Sequence, residues 1–345
     1  MKKQLLINVD TEAHRGTNPV EDLIYGKVCG GEYGINKIMD ICEKYNVYAT
    51  FFVDFAEVNT WGYEKIKEVC DDIILRGHDI QLHLHPEHFG DWQRQEFSQY
   101  TYDEQKKMIE YGINQYKSML GHKPLAFRAG KYSINEDTIK ALREMEIKID
   151  SSFVKNNRWC KLNGRRTDAN VISEYNGIYE IPVTVFKERI FNKQPLDKYY
   201  VFDVNTMTKF EFKELYAKFV KSNIKTVTFF MHSFSFLKRY NDDLNLKPNK
   251  SDIKFFDFIL KYVTERKDFK VITYSEYWER IECQSLKEDF VPIINSFIKS
   301  AIGIFIRYKK ASIRSKQFRK YIYAIYAVAV TSLSLLLYLF YYLFF

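Results

Sequence analysis

Cysteine, glycine and proline are sparse in this chain, and no repeat or linker punctuates it. The 345 residues include only 14 glycines and 7 prolines, too few for a collagen-like or low-complexity chain. Five cysteines stand far apart at Cys29, Cys42, Cys70, Cys160 and Cys283, with no Cys-x-x-Cys pair. An odd, scattered set argues against a disulfide framework or a zinc ribbon and predicts reduced, buried thiols. No long Pro/Gly/Ser-rich segment divides residues 1–289. Hydrophobic residues make up 46% of the chain, which excludes wholesale disorder and supplies a core.

Acidic residues are missing where the basic ones gather. The net charge is +8, yet Arg307, Lys309, Lys310, Arg314, Lys316, Arg319 and Lys320 carry seven of those charges with no acid among them. The body before them is nearly neutral. With no recognition motif beside the charge, nucleic acid is not the expected partner. Residues 321–345 carry no charge. As a helix they would rise roughly 37 Å, enough for a ~30 Å hydrocarbon core. Tyrosines near both ends suit the two interfaces. The reading is a transmembrane helix at 321–345, with the basic 307–320 segment and the body on the cytoplasmic face. The N-terminal apolar run is cut at once by Asn8 and Asp10, too early for a signal peptide. In 290–306, Ile294, Phe297, Ile298, Ala301, Ile302 and Phe305 recur at helical spacing. They predict an amphipathic helix, lying in the membrane interface or packed on the body.

Residues 1–289 alternate short apolar runs with longer amphipathic ones. Strands are expected at 3–9, 47–53, 79–84, 124–128, 146–150, 178–185, 225–231 and 269–273. Helices are expected at 32–46, 62–76, 103–120, 135–145, 211–222 and 252–266. This alternation implies an α/β fold with a parallel sheet or barrel, whose chemistry gathers where strands end. Asp10 and Glu12 follow the first strand, and His83, His85, Glu87 and His88 follow the third. Arg128 and Asp150 close the next two, and His232 follows TVTFFM. Carboxylates beside imidazoles suit zinc, and also cobalt or nickel. His83 and His85, two apart on an extended segment, point the same way. One further acid completes three protein ligands and leaves an open position, the arrangement of a catalytic metal. Such an ion polarises a carbonyl and lowers the pKa of water towards ~7. A second carboxylate can then take a proton and a separate histidine can give one.

With those residues in place, the chain resembles the polysaccharide deacetylases with a NodB-homology domain, carbohydrate esterase family 4, over roughly residues 3–280. The likeness is carried by ATFFV (49–53), RGHDIQLHLH (76–85), FRAGKY (127–132), IDSS (149–152) and FFMHS (229–233), in the family's order. The LHLHP variant is closest to members among surface-polysaccharide synthesis proteins. The resemblance implies an irregular (β/α) barrel of about seven strands that removes acetyl groups from amino sugars. It implies Asp10 as catalytic base, Glu12 and His83 as metal ligands, and Arg128 as the residue that orients Asp10. Asp150 would tune His232, the general acid. The family's second metal histidine falls four residues after the first, where this chain has Glu87; strand geometry favours His85 in its place, with His88 next and Glu87 itself a further candidate ligand. The Arg motif lacks its prolines and places Tyr132 one residue late.

The expected protein is a metal-dependent deacetylase of a carbohydrate, lipid-linked if the membrane anchor bears on the substrate. A saccharide-binding scaffold on the same fold, or a hydrolase of another C–N bond, are the rival readings. Trp61, Trp92 and Trp159 could stack on sugar faces or fill the core. His78 is expected to be structural and His122 to lie on the surface, with His14 left open.

Overall fold

A computed structural model describes residues 2–13, 19–162, 169–189, 195–239, 246–281, 293–296, 300, 303, 304, 306 and 307. The expected membrane span at 321–345 and nearly all of the basic segment lie outside these, as do His14 and Cys283. Among the described residues, no helix is long and apolar enough to cross a membrane.

The centre is a nine-stranded sheet. Its strands are β1 (Lys3–Thr11), β2 (Thr50–Asp54), β3 (Asp79–Leu84), β4 (Ala126–Ala129), β5 (Ile149–Asp150), β6 (Ser173–Tyr175), β7 (Ile178–Glu180), β8 (Thr226–His232) and β9 (Phe269–Ile272). Their spatial order is β8-β1-β2-β3-β4-β5-β7-β6, and β9 pairs with the first half of β1. All pairs are parallel except β6 with β7. Parallel strands need long crossovers, and helices supply most of them. They are α1 (Ile35–Lys44), α2 (Tyr63–Leu75), α3 (Tyr102–Leu120), α4 (Glu136–Glu144), α5 (Lys209–Lys221) and α6 (Lys250–Arg266). A seventh, α7 (Tyr274–Ile281), follows β9. Capping boxes start α3, α4 and α5 at Thr101/Glu104, Asn135/Thr138 and Thr208/Glu211.

Where a barrel is expected, the sheet is a curled, parallel-rich half-barrel, and the chain that follows β7 meets β8 at an irregular seam. Between β7 and β8 the Thr184 and Thr228 backbone N–H groups each donate to the other's hydroxyl, at 2.7 and 2.9 Å. Further along that edge of β8, Asp203 bridges to Phe230, and the Phe230 N–H donates to the Phe202 carbonyl at 3.1 Å.

Strand periodicity decides which residues meet. Leu5, Ile7 and Val9 of β1 join Phe51 and Val53, Leu82 and Leu84, Phe127, and Val227, Phe229 and Met231 in the large core under the helices. The alternate positions face the other way. There Leu6, Phe52, Ala126, Ile149, Ile272 and Tyr274 form a smaller inner cluster. Asp10, His83, Arg128 and His232 fall on that second set of positions, towards the ends of their strands.

The structure bears on two further expectations, the burial of the thiols and the placement of 290–306. Cys42 and Cys70 are buried, and burial pushes both thiols up. Cys29 is exposed, contrary to the expectation of buried thiols throughout. Within 290–306, Ile293, Asn295 and Ser300 are buried against the body. The Lys187 N–H donates to the Ile293 carbonyl at 2.8 Å, and the Asn295 N–H to the Lys187 carbonyl at 2.9 Å. At these positions the segment docks on the protein, because its polar side chains find partners there: Ser300 Oγ accepts from the Arg189 N–H at 3.0 Å.

His78 is structural, as expected. Its Nδ1 accepts from the Ala49 N–H at 3.0 Å, where the chain enters β2. Burial drives the ring down to about 4, with Arg76 opposing protonation and Glu43 favouring it. The folded value lies below the unfolded ~6.5, so protonation favours unfolding. The stabilisation is complete above about pH 6.5 and is lost as pH falls towards 4. Urea denaturation should show the wild type losing about 2–3 kcal/mol more than His78→Gln between pH 7.5 and 4.5. Identical losses would show that His78 carries no such linkage.

Candidate metal centre and active site

Glu12 leaves the end of β1 and is buried at its rim. Three imidazoles converge on its carboxylate. His85 Nε2 lies 2.6 Å from Oε2, His83 Nε2 lies 3.4 Å from the same oxygen, and His232 Nε2 lies 3.7 Å from Oε1. Burial opposes ionisation of Glu12, but His85, His83 and His232 outweigh it and hold the carboxyl well below its ordinary range. Burial likewise opposes protonation of His85, yet Glu12, Glu87 and Asp54 raise the ring well above its ordinary range. His83 is raised too, burial being overcome by Asp10 and Glu12.

The far nitrogens of the two rings are also held. His83 Nδ1 lies 2.8 Å from the Arg128 carbonyl, to which it can only donate. His85 Nδ1 faces Glu87 Oε1 at 3.2 Å. With Nδ1 held in this way, each ring turns Nε2 towards Glu12, where it can donate to the carboxylate or, once deprotonated, offer a lone pair to a metal. That is how metal-ligating histidines are oriented. One ligand atom each from Glu12, His83 and His85 lies within 4.8 Å of the others, so the three could hold a metal ion. Gly130 makes room for this: a Cβ there would sit 2.6 Å from His85 Cγ.

Asp10 stands opposite His232 in the β1–β8 pairing. Its Oδ1 accepts from Arg128 Nη1 at 2.6 Å. Arg128 is fully buried. Its Nε donates to the Ser151 carbonyl and its Nη2 to Ser151 Oγ, both at 2.9 Å. The guanidinium lies 4.1 Å from the centre of the Phe52 ring. His232 stacks on Phe234 with centroids 4.7 Å apart, and its side chain is 33% exposed. Burial lowers this ring, while Glu12 and Asp10 raise it.

The structure thus brings Asp10, Glu12, His83, His85, Arg128 and His232 together. It separates two of the expected residues from the roles considered for them. Asp150 Oδ1 accepts from Ser152 Oγ at 2.5 Å, and Ser152 Oγ accepts from the Ala129 N–H at 2.9 Å. Asp150 therefore braces the strand end that carries Arg128, and the carboxylates acting on His232 are Glu12 and Asp10. His88 turns away from Glu12: its Nε2 lies 3.9 Å from both Asp54 Oδ2 and Glu57 Oε1. The cause is the turn Pro86–Phe89, which breaks the strand's two-residue period after His85. Glu87 reaches the far nitrogen of His85 rather than the side on which Glu12 lies.

Asp54 and Glu57 escaped the reading of strand ends, although Asp54 directly follows ATFFV and fits that rule. Glu57 gave no signal, being one acid in a turn. Trp92 is exposed beside His88, with ring centroids 5.5 Å apart. Trp61 and Trp159 are half-buried. His122 is exposed, as expected.

The site is thus an acid–histidine cluster at the rim of a curled, mostly parallel sheet. Residues 30–149 match the family model described as polysaccharide deacetylase. The matched span holds His83, His85 and Arg128, while Asp10, Glu12, Asp150 and His232 lie outside it. No curated protein matches the chain. Among solved structures it is similar to a Mycobacterium smegmatis protein assigned as a polysaccharide deacetylase. That pair has 17% identity and a TM-score of 0.52, covering 86% of this chain and 96% of the other. It is also similar to the peptidoglycan deacetylase PdaC of Bacillus subtilis, at 13% identity and a TM-score of 0.40, covering 82% and 93%. The first supports the fold.

Removing a buried charge partner leaves the other charge uncompensated, at a cost of about 3–5 kcal/mol. Arg128→Met should therefore lose stability of that order in urea denaturation. The double variant Asp10→Asn/Arg128→Met should recover a large part of it. Additive losses would show that the pair is not coupled.

Proposed function

We propose that this chain removes the acetyl group from an N-acetylated amino sugar of a cell-surface polysaccharide or its precursor, with a divalent ion, zinc in the first instance, at Glu12, His83 and His85. The observation that carries the reading is the pair of imidazoles, each tied at Nδ1 and turned by Nε2 onto one buried carboxylate. When bound there, the ion would polarise the acetyl carbonyl and make water more acidic.

The chain's own residues supply the rest. Asp10 has a carboxylate oriented by Arg128 and stands beside Glu12, suited to take a proton from water. Arg128 has its other donors fixed on Ser151, so Asp10 cannot rotate without breaking that pair. His232 is partly open to solvent and faces Glu12 from the other strand, suited to protonate the departing amine. Stacking on Phe234 restricts its ring. Trp92 offers an exposed face on which a sugar could stack.

Asp10→Asn should lower kcat for deacetylation of N-acetylglucosamine oligomers by about 10²–10⁴ while retaining the ion of the Glu12 cluster. His83→Ala should lose that ion and the activity together. An unchanged kcat in Asp10→Asn would remove Asp10 as base.

The reading extends to a cytoplasm-facing enzyme anchored by residues 321–345. It is supported by the uncharged run and the basic segment before it. Enzyme and lipid-linked saccharide on one surface would meet at raised effective concentration. The full chain should resist alkaline extraction from membranes, and a chain ending at Lys320 should be released. Equal release of both would remove the anchor, and equal activity on soluble and lipid-linked sugar would remove its bearing on substrate.

A further inference from the structure

Beside the Glu12 cluster lies a second group of donors for which the reaction above has no use. Asp54 ends β2, Glu57 sits in the turn that follows, and His88 sits in the turn after β3. Asp54 and Glu57 are 0% exposed and His88 is 4% exposed. One donor atom from each lies within 4.8 Å of the others.

The inner oxygens of the two carboxylates are employed. Asp54 Oδ1 accepts from the Ala56 N–H at 2.9 Å and the His85 N–H at 3.3 Å. Glu57 Oε1 accepts from the Ala13 N–H. The outer oxygens, Asp54 Oδ2 and Glu57 Oε2, are buried and have no hydrogen-bond partner. Among the described residues, no lysine or arginine pairs with either acid. His88 Nε2 approaches both acids at 3.9 Å, too far for a hydrogen bond. Its Nδ1 is engaged by Thr60 Oγ1 at 2.7 Å. Two buried acids, one imidazole turned towards them and two unpartnered oxygens form a set that lacks a positive centre.

We propose that Asp54, Glu57 and His88 hold a second divalent cation, separate from the one at Glu12, His83 and His85. Two carboxylates and one imidazole are a harder donor set than one carboxylate and two imidazoles, so this site favours Mn²⁺ more than its neighbour does. Its position gives the ion a structural consequence. The inner oxygens hold the backbone N–H groups of Ala13 and His85, one next to a ligand of the first cluster and the other belonging to one. A cation that fixes Asp54 and Glu57 therefore also fixes the backbone that carries Glu12 and His85.

The proposal does not depend on deacetylation. The full chain is stripped with a chelator and dialysed against Zn²⁺, and bound metal per chain is counted by plasma mass spectrometry. Mn²⁺ is then titrated and followed by its electron paramagnetic resonance signal. The wild type should hold two equivalents, one of them exchanging preferentially for Mn²⁺. Glu57→Gln, close in shape, should keep one equivalent and lose the Mn²⁺-preferring one. His83→Ala should lose the other and keep that one, which separates failure of this site from failure of the first. One equivalent in both the wild type and Glu57→Gln would overturn the proposal, as would two equivalents in both. The wild-type count needs no variant to fold, and retention of the first ion in Glu57→Gln reports that its rim is intact.

Discussion

The rim of this fold is organised by one buried arginine. The Arg128 side chain reaches from β4 to Asp10 on β1 and to Ser151 beyond β5, with Phe52 of β2 beneath its plane. Its backbone carbonyl meanwhile accepts a hydrogen bond from Nδ1–H of His83 on β3. One residue thus fixes the direction of the proposed base and the tautomer of a proposed metal ligand. Burying such a pair is weak evidence of stability, because desolvation offsets much of the Coulomb attraction. What the arrangement supplies is geometry. A guanidinium with a planar fork and several fixed partners leaves Asp10 few orientations.

Everything else at the rim answers to charge balance in a dry place. Glu12 is surrounded by three imidazoles, and the same carboxylate that raises their hold on a proton would raise their hold on a metal. Protons and metal ions compete for Nε2 of His83 and His85. Asp54 acts on both clusters, because its Oδ1 grips the His85 backbone. The Glu12 carboxylate and the Asp54–Glu57 pair are therefore neighbours in one buried, acidic rim.

Much of this architecture was legible in the sequence. Eight runs were read as strands, and the main sheet contains a counterpart of each, with helices between them as the spacing of Ile35, Ile38, Met39 and Cys42 implied for the first. Short strands gave no comparable signal: β6 spans three residues, too few for a period to register. Helix α7 was missed because Tyr274 follows β9 almost directly, so its eight residues blend into the apolar run before them. The seam was illegible for another reason. It depends on hydroxyl and backbone groups of Thr184 and Thr228, and neither threonine stands out in the chain. The bond between Asp150 and Ser152 was illegible because a strand-end acid can brace its own loop as readily as it can face a distant histidine.

The histidine run shows where spacing stops being informative and backbone geometry takes over. His83, His85 and His88 lie within six residues of one another, and all three are able to bind metal. In extended chain, side chains repeat every two residues, so His83 and His85 turn to one side and Glu12 can meet both. Pro86 then fixes the backbone for a tight 3-10 turn, and Gly90, at φ 98°, ends it in a conformation open to glycine. Through that turn the ring of His88 comes to Asp54 and Glu57 instead. A proline placed between the second and third histidines is thus what divides one motif between two clusters. The acid four residues after His83 can serve as the orienting partner of His85 for the same reason.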